Sequence, residues 1–306
     1  MSTLRKYAMM VMLLAAAACT VRVPDGYDPP VALRFDPVLS VATKAGSELD
    51  WPAGLDFGVY LWDYPVTGNY AEGTPWLTDE RVIDAGEHYE PVSKKLWPDR
   101  SRMLHLLAYA PYGSAASVTR ERGVEFHNVG TDVDLLYAGP ESGLQKSTSG
   151  TVETGAEGVI SLSFLHALCL TDISLRCNAA PGEEAVVTDI SLDQAYIAGD
   201  FQSLPFPLWK PSGATATLTF FKGSQALQQE NAVVGESLLM IPQMLSGQVT
   251  VKLRYTASSP KTVTTEHTLV SDPLNKVLES GRHYTVTLSC LLESMTLKMD
   301  IVDKDL

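Results

Sequence analysis

The chain has 306 residues, 45% of them hydrophobic, and a formal charge of −13, with an isoelectric point near 4.9. That acidity argues against nucleic acid and against electrostatic capture by anionic lipid, because both polyanions would repel the chain. With 18 prolines and 22 glycines, the composition suits a protein of short elements and many turns.

At the start, Arg5 and Lys6 precede an uninterrupted apolar stretch from Ala8 to Ala18. The run has the length of a signal-peptide core and falls short of the roughly 18 to 20 apolar residues that a spanning helix needs. Residues 1–18 therefore read as an export signal. The small residues before Cys19 resemble a bacterial lipobox, in which the cysteine is acylated and becomes the first mature residue. The other reading is an ordinary signal peptide cut elsewhere, with Cys19 incidental. Loss of residues 1–18 leaves 288 and takes the formal charge from −13 to −15, since Arg5 and Lys6 go and no acid does. That length has room for two domains of about 150 residues each. After Cys19 the chain continues as TVRVPDGYDPP, residues 20–30, without hydrophobic pattern and with three prolines, and residues 19–30 read as an extended tether.

Helical periodicity is almost absent from the mature chain. Short runs of alternating apolar and polar residues recur instead, separated by clusters of Gly, Pro, Asn, Asp and Ser: VALRF, DFGVYLWDY, RMLHLLAYA, VISLSFLHA, CLTDISLRC, ATLTFFK, QVTVKLRY, TVTTEHTLV and HYTVTLSC. This spacing predicts an all-β chain of antiparallel sandwiches. The break at CNAAPGEEA, residues 177–185, suggests a first domain over 31–168 and a second over 169–306. At the far end, SMTLKMDIVDKDL alternates Met295, Leu297, Met299 and Ile301 with Thr296, Lys298 and Asp300, the period of a strand with one buried face.

Residues that carry chemistry are scattered. HExxH, CxxC, GxSxG and a phosphate-binding glycine loop are all missing, and the six histidines lack ligand spacing. No metal, no cofactor and no enzyme activity is expected. His166 shares a strand face with Leu162 and Phe164 and reads as a hydrogen-bonded structural residue, and Asp300, Asp303 and Asp305 read as a solvated tail. Cys169 and Cys177 would stand roughly 26 Å apart along one strand, too far for a disulfide. Cys177 and Cys290 both look core-facing, and a bridge between them stays open if their strands are neighbours. Trp51, Trp62 and Trp76 cluster in sequence with Tyr60, Tyr64 and Tyr70. Exposed, they would stack on sugar rings, the alternative of a glycan-binding surface lipoprotein; alternating within a strand, Tyr60 and Trp62 share a face and point inward.

Taken in order, VALRF, SVATKAG, LAYAPY, DLLYA with LSFLHALC, MIPQ and GRHYTVTL resemble the fimbrillins of Bacteroidetes, from about residue 19 to the end. The resemblance implies two transthyretin-like β-sandwich domains in tandem, and a fimbrial subunit or anchor exported as an outer-membrane lipoprotein. It also implies assembly with other fimbrial subunits by strand exchange. A trypsin-like protease would remove the first strand, and a strand from another subunit would fill the groove. Carried onto these residues, Val31, Leu33 and Phe35 form the displaced strand. Lys44, before Ala45 and Gly46, is the candidate processing point; otherwise it is a solvated linker lysine. Met295, Leu297, Met299 and Ile301 form the donor strand, which completes its own sandwich in the isolated monomer.

Overall fold

The computed structural model describes residues 30–40, 48–49, 51–115, 117–144, 159–178, 183–227, 232–233, 237–257 and 262–306. Among the described residues there is no α-helix, only one short 3-10 turn at Tyr70–Glu72. Val31–Leu306 forms one compact unit.

The first ten strands are β1 (Arg34–Ser40), β2 (Glu48–Leu49), β3 (Phe57–Pro65), β4 (Thr74–Asp84), β5 (Tyr89–Pro91), β6 (Arg102–Ala110), β7 (Ser117–Thr119), β8 (Gly123–Val129), β9 (Leu136–Leu144) and β10 (Val159–His166). Eight of them form a sheet in the order β10-β9-β6-β3-β4-β5-β1-β2, and β1 also pairs with β10. That last pairing closes seven strands into a ring. The β1–β10 ladder is parallel, from Arg34 opposite Val159 to Leu39 opposite Phe164, whereas β1 meets β5 antiparallel at Phe35 and Tyr89. Inside the ring lie Leu33, Phe35, Phe57, Val59, Leu61, Leu104, Leu106, Ile160, Leu162 and Phe164, all buried.

The later strands are β11 (Cys169–Asn178), β12 (Glu184–Gln202), β13 (Leu208–Ala226), β14 (Ala232–Val233), β15 (Leu238–Met240), β16 (Met244–Leu245), β17 (Val249–Ala257), β18 (Val263–Val270), β19 (Lys276–Val277), β20 (Arg282–Leu291) and β21 (Thr296–Asp305). One sheet runs β14-β11-β20-β21, with β15 also on β11. A second runs β18-β17-β12-β8-β7, with β13 along β12, and β16 pairs with β19. Ile173 and Leu175 of β11 and Val286 and Leu288 of β20 share a core with Val187, Ile190 and Leu192 of β12 and Val251 and Leu253 of β17. Two sheets facing each other across one apolar layer make a sandwich.

A third core joins these regions. Tyr60 and Trp62 of β3 and Leu107 and Tyr109 of β6 turn away from the ring interior and pack with Phe126 of β8, Phe201 of β12, Trp209 of β13 and Ile241. Strands β3 and β6 are therefore covered on both faces, which explains why RMLHLLAYA is almost continuously apolar. Gly58 shows how tight this layer is. A Cβ there would stand 2.3 Å from Cε1 of Tyr109, whose ring is 1% exposed and whose hydroxyl donates to Asp79 Oδ1 at 2.5 Å. Gly58→Ala should cost about 1–3 kcal/mol in urea unfolding, because the ring has nowhere to move.

His105 of β6 is 2% exposed and lies beside the Trp62 ring, 5.6 Å between centroids. Burial, with a smaller contribution from the Arg120 charge, lowers its pKa from 6.5 to about 4. Between those values the unfolded chain holds the proton and the folded chain does not. Stability is then full above about pH 6.5 and falls on acidification toward about pH 4, by on the order of 3 kcal/mol. Urea titrations across that window should show the slope, and His105→Gln should flatten it.

Cys169 is a buried free thiol that donates to the Met240 carbonyl at 3.3 Å; burial pushes its pKa up to about 12. The parallel β11–β20 ladder sets Cys177 opposite Cys290, and Cys290 is buried in the sandwich core. Their strands are thus neighbours, while the Cys177 side chain lies outside the described residues.

Candidate assembly interface

The first strand is embedded. Residues 31–33 run against residues 95–97: the Leu33 amide donates to the Lys95 carbonyl at 2.9 Å and the Trp97 amide to the Val31 carbonyl at 2.8 Å. Where an opening strand over Val31–Phe35 is expected, the ladder proper starts only at Arg34 and runs to Ser40. The reason is a change of partner, from the 95–97 segment to β10, at that residue. Alternation nevertheless holds across the change, because Leu33 is 1% and Phe35 0% exposed while Asp36 faces solvent. Val31 is half-buried against the same core. On the outer side, Arg34 Nε donates to Glu90 Oε1 at 3.2 Å.

Phe35 enters an aromatic cluster whose hub is Phe57. The Phe35 and Phe57 rings meet edge to face at 5.8 Å and 84°, and Phe57 also meets Trp51 at 5.8 Å, Phe164 at 5.4 Å and Tyr89 at 5.7 Å. Trp51 is fixed by its indole N–H, which donates to the Leu55 carbonyl at 3.0 Å. Phe35 is also the residue of β1 whose backbone faces both neighbours, Ile160 of β10 and Tyr89 of β5. Lifting β1 out would leave an apolar slot with two unpaired strand edges.

The last strand occupies a different setting. β21 pairs antiparallel with β20 from Arg282 opposite Asp305 to Leu291 opposite Thr296, and it is the end of its sheet. Leu297, Met299 and Ile301 are half-buried against the sandwich core. Met295, expected as a strand residue, sits instead in the β20–β21 turn with φ +49°. The hairpin needs a residue in the left-handed region there, and Met295 still packs on the core. Of the three aspartates expected as a solvated tail, Asp300 faces solvent, while Asp303 and Asp305 are engaged. Asp303 lies 3.1 Å from Lys276 Nζ and 3.7 Å from Arg282, and Asp305 pairs with Arg282. The hydrogen bond from Lys276, helped by both positive charges, holds the Asp303 carboxyl below the usual range. Among the described residues no group of three or more His, Cys, Asp or Glu is placed to hold a metal ion.

Cys19 and Lys44 lie outside the described residues. The aromatics divide between cores. Trp62 and Tyr64 are 7% and 5% exposed, Tyr60 stacks on Trp62 at 6.2 Å, and Trp51 and Trp76 pack on the ring core. They build no exposed platform for a sugar; the Tyr70 side chain lies outside the described residues. His166 Nδ1 stands 2.8 Å from Asp134 Oδ2 at 10% side-chain exposure, a close polar contact without the direction of a hydrogen bond.

A family model described as fimbrillin-like matches residues 43–303. The chain belongs to the fimbrillin-like family. This fimbrillin-like chain superposes on a fimbrial protein from Bacteroides vulgatus with a TM-score of 0.61 at 13% identity, covering 90% of this chain and 99% of that one. Candidate cell adhesion proteins from Bacteroides ovatus and Bacteroides uniformis give 0.55 and 0.54, both at 14% identity, covering 91% and 92% of this chain and 98% of each of theirs. At such identities the likeness shows a shared fold. No curated protein matches the chain. Family membership makes it a fimbrial or adhesive protein of the cell surface rather than an enzyme, with other fimbrial subunits as its partners.

Proposed function

We propose that this fimbrillin-like protein is a fimbrial subunit exported as a lipoprotein through Cys19 and assembled by strand exchange. Its two regions, 31–168 and 169–306, act as tandem transthyretin-like domains, with β7 and β8 of the first added to the β12 sheet of the second. A trypsin-like protease cuts at Lys44, which frees the folded part from its outer-membrane anchor and severs β1 from the rest of the chain. A strand from another subunit then takes the place of Val31, Leu33 and Phe35, while Leu297, Met299 and Ile301 of β21, with Met295 beside them, are offered to a neighbour.

The observation that carries this reading is the setting of β1. It closes a ring, supplies the buried Leu33 and Phe35, and lies between two strands that would each expose a pairing edge without it. Main-chain hydrogen bonds on both sides would then hold any extended segment with suitable alternate side chains.

A cysteine lock tests it. Asp36 and Ser161 both face solvent and stand opposite each other in the parallel β1–β10 ladder, where neighbouring Cα atoms are about 4.8 Å apart and within disulfide reach. After cleavage within residues 41–47, a labelled peptide of residues 30–40 should exchange into the reduced Asp36→Cys/Ser161→Cys protein and stay excluded from the oxidised one. Exclusion from both forms would end the strand-exchange reading.

A further inference from the structure

We propose that the slot under β1 selects a strand with an aromatic side chain at the place of Phe35, so that its favoured occupant comes from a different fimbrial subunit rather than from a second copy of this chain. The proposal rests on the strand-exchange reading above.

The slot is shaped around a ring. Phe35 is 0% exposed and presents its ring edge to face at Phe57, 5.8 Å away at 84°. Phe57 is in turn fixed by Trp51, Tyr89 and Phe164. A cluster built from rings on several sides does not shrink around a thinner side chain, because each ring is held by the others.

The donor strand of this chain has no ring to offer there. From Leu292 to Leu306 the sequence LESMTLKMDIVDKDL contains no Phe, Tyr or Trp, so no register and neither direction of insertion brings an aromatic to that point. In the direction of β1, four registers put one of the alternating donor residues in the cluster, and Met295 there carries Glu293 to the buried place of Leu33, where a carboxylate is costly. Met299 there carries Asp303 to the half-buried place of Leu39. Ile301 there carries Asp303 to the buried place of Pro37, where a carboxylate is costly. Leu297 avoids these placements but replaces a ring by a smaller branched group, leaving unfilled space and losing the edge-to-face contact.

Peptide competition tests the selection. The full chain, with a protease site engineered into residues 41–47 and cut there, is challenged with four peptides: residues 30–40, residues 294–306, and residues 294–306 with Leu297→Phe or with Met299→Phe. Displacement of the native first strand is followed by native mass spectrometry. The 30–40 peptide and at least one aromatic tail peptide should bind about tenfold more tightly than the unaltered tail, the factor expected for one lost aromatic contact with its packing. Equal uptake of the unaltered and aromatic tails would overturn the selection while leaving strand exchange standing. Refusal of all four peptides, the 30–40 segment included, would overturn strand exchange and this proposal with it.

Discussion

Phe35→Ala should lower the stability of the ring by about 3–5 kcal/mol, the range for removing a fully buried phenylalanine. The upper part of that range is expected. Phe35 is 0% exposed, its neighbours Phe57, Trp51 and Phe164 brace one another, and such a cluster relaxes little into a vacancy. Urea unfolding measures the loss. Leu33→Ala, at 1% exposure, should cost about 2–5 kcal/mol by the same reasoning. Amides of β5 and β10 should lose hydrogen-exchange protection in Phe35→Ala before those of β20, since β1 joins the first two strands and lies in a different core from the third. A loss under about 1 kcal/mol would mean that β1 is not a keystone of the ring.

Removal of residues 294–306 should have two separable effects. The first is on stability. Leu297, Met299 and Ile301 are half-buried, so each contributes roughly half of the 1.5–3 kcal/mol of a fully buried side chain, and the ladder to β20 goes with them. Thermal melts should shift downward, with faster hydrogen exchange along β20. The second effect is on assembly. Uncut chains lacking the tail should fail to enter the slot of cut, full-length partners at high protein concentration, as read by gel filtration. Cut chains lacking the tail should still accept the 30–40 peptide, which shows that the slot itself survives. Truncated chains that join cut partners as well as intact ones do would remove β21 from the donor role.

Much of this fold is legible in single runs of sequence. Leu33 and Phe35, or Leu297, Met299 and Ile301, show their faces because each run keeps a strict period of two, and each turns the expected side toward a core. β12 is the opposite case. Its 19 residues escape pattern reading because the register with β13 slips between Val187 and Asp189, Ile190 and Ser191, Leu192 and Ala195, and Tyr196 and Ala198. The buried positions of β12 change parity twice, from Ala185 and Val187 to Ile190 and Leu192 and then to Ala195 and Phe201, so a long strand reads as irregular coil. Gln194, at φ +57°, marks one of these breaks.

Partnership is harder to read than strand identity. Nothing local in RFDPVLS announces that its partner lies more than a hundred residues away in VISLSFLH, or that the two run parallel. The same limit hides the third core. Tyr60 and Trp62 announce an inward face, but the layer they meet, with Phe126, Phe201 and Trp209, is assembled from strands far along the chain. The ion pairs of Asp303 and Asp305 with Arg282 and Lys276 likewise exist only once the β20–β21 hairpin and β19 are brought together.

Closure of the ring through β1 sets the width of anything that could replace it. Adjacent strands lie about 4.8 Å apart, so withdrawing one leaves a slit of roughly 9–10 Å between β5 and β10. A single extended backbone fits such a slit and bonds to both walls; a folded sheet, presenting its own rim, is too thick to enter. On the proposed strand exchange, half-processed subunits would be spared indiscriminate clumping, because an opened slot would be sticky only to something as thin as the strand that left it.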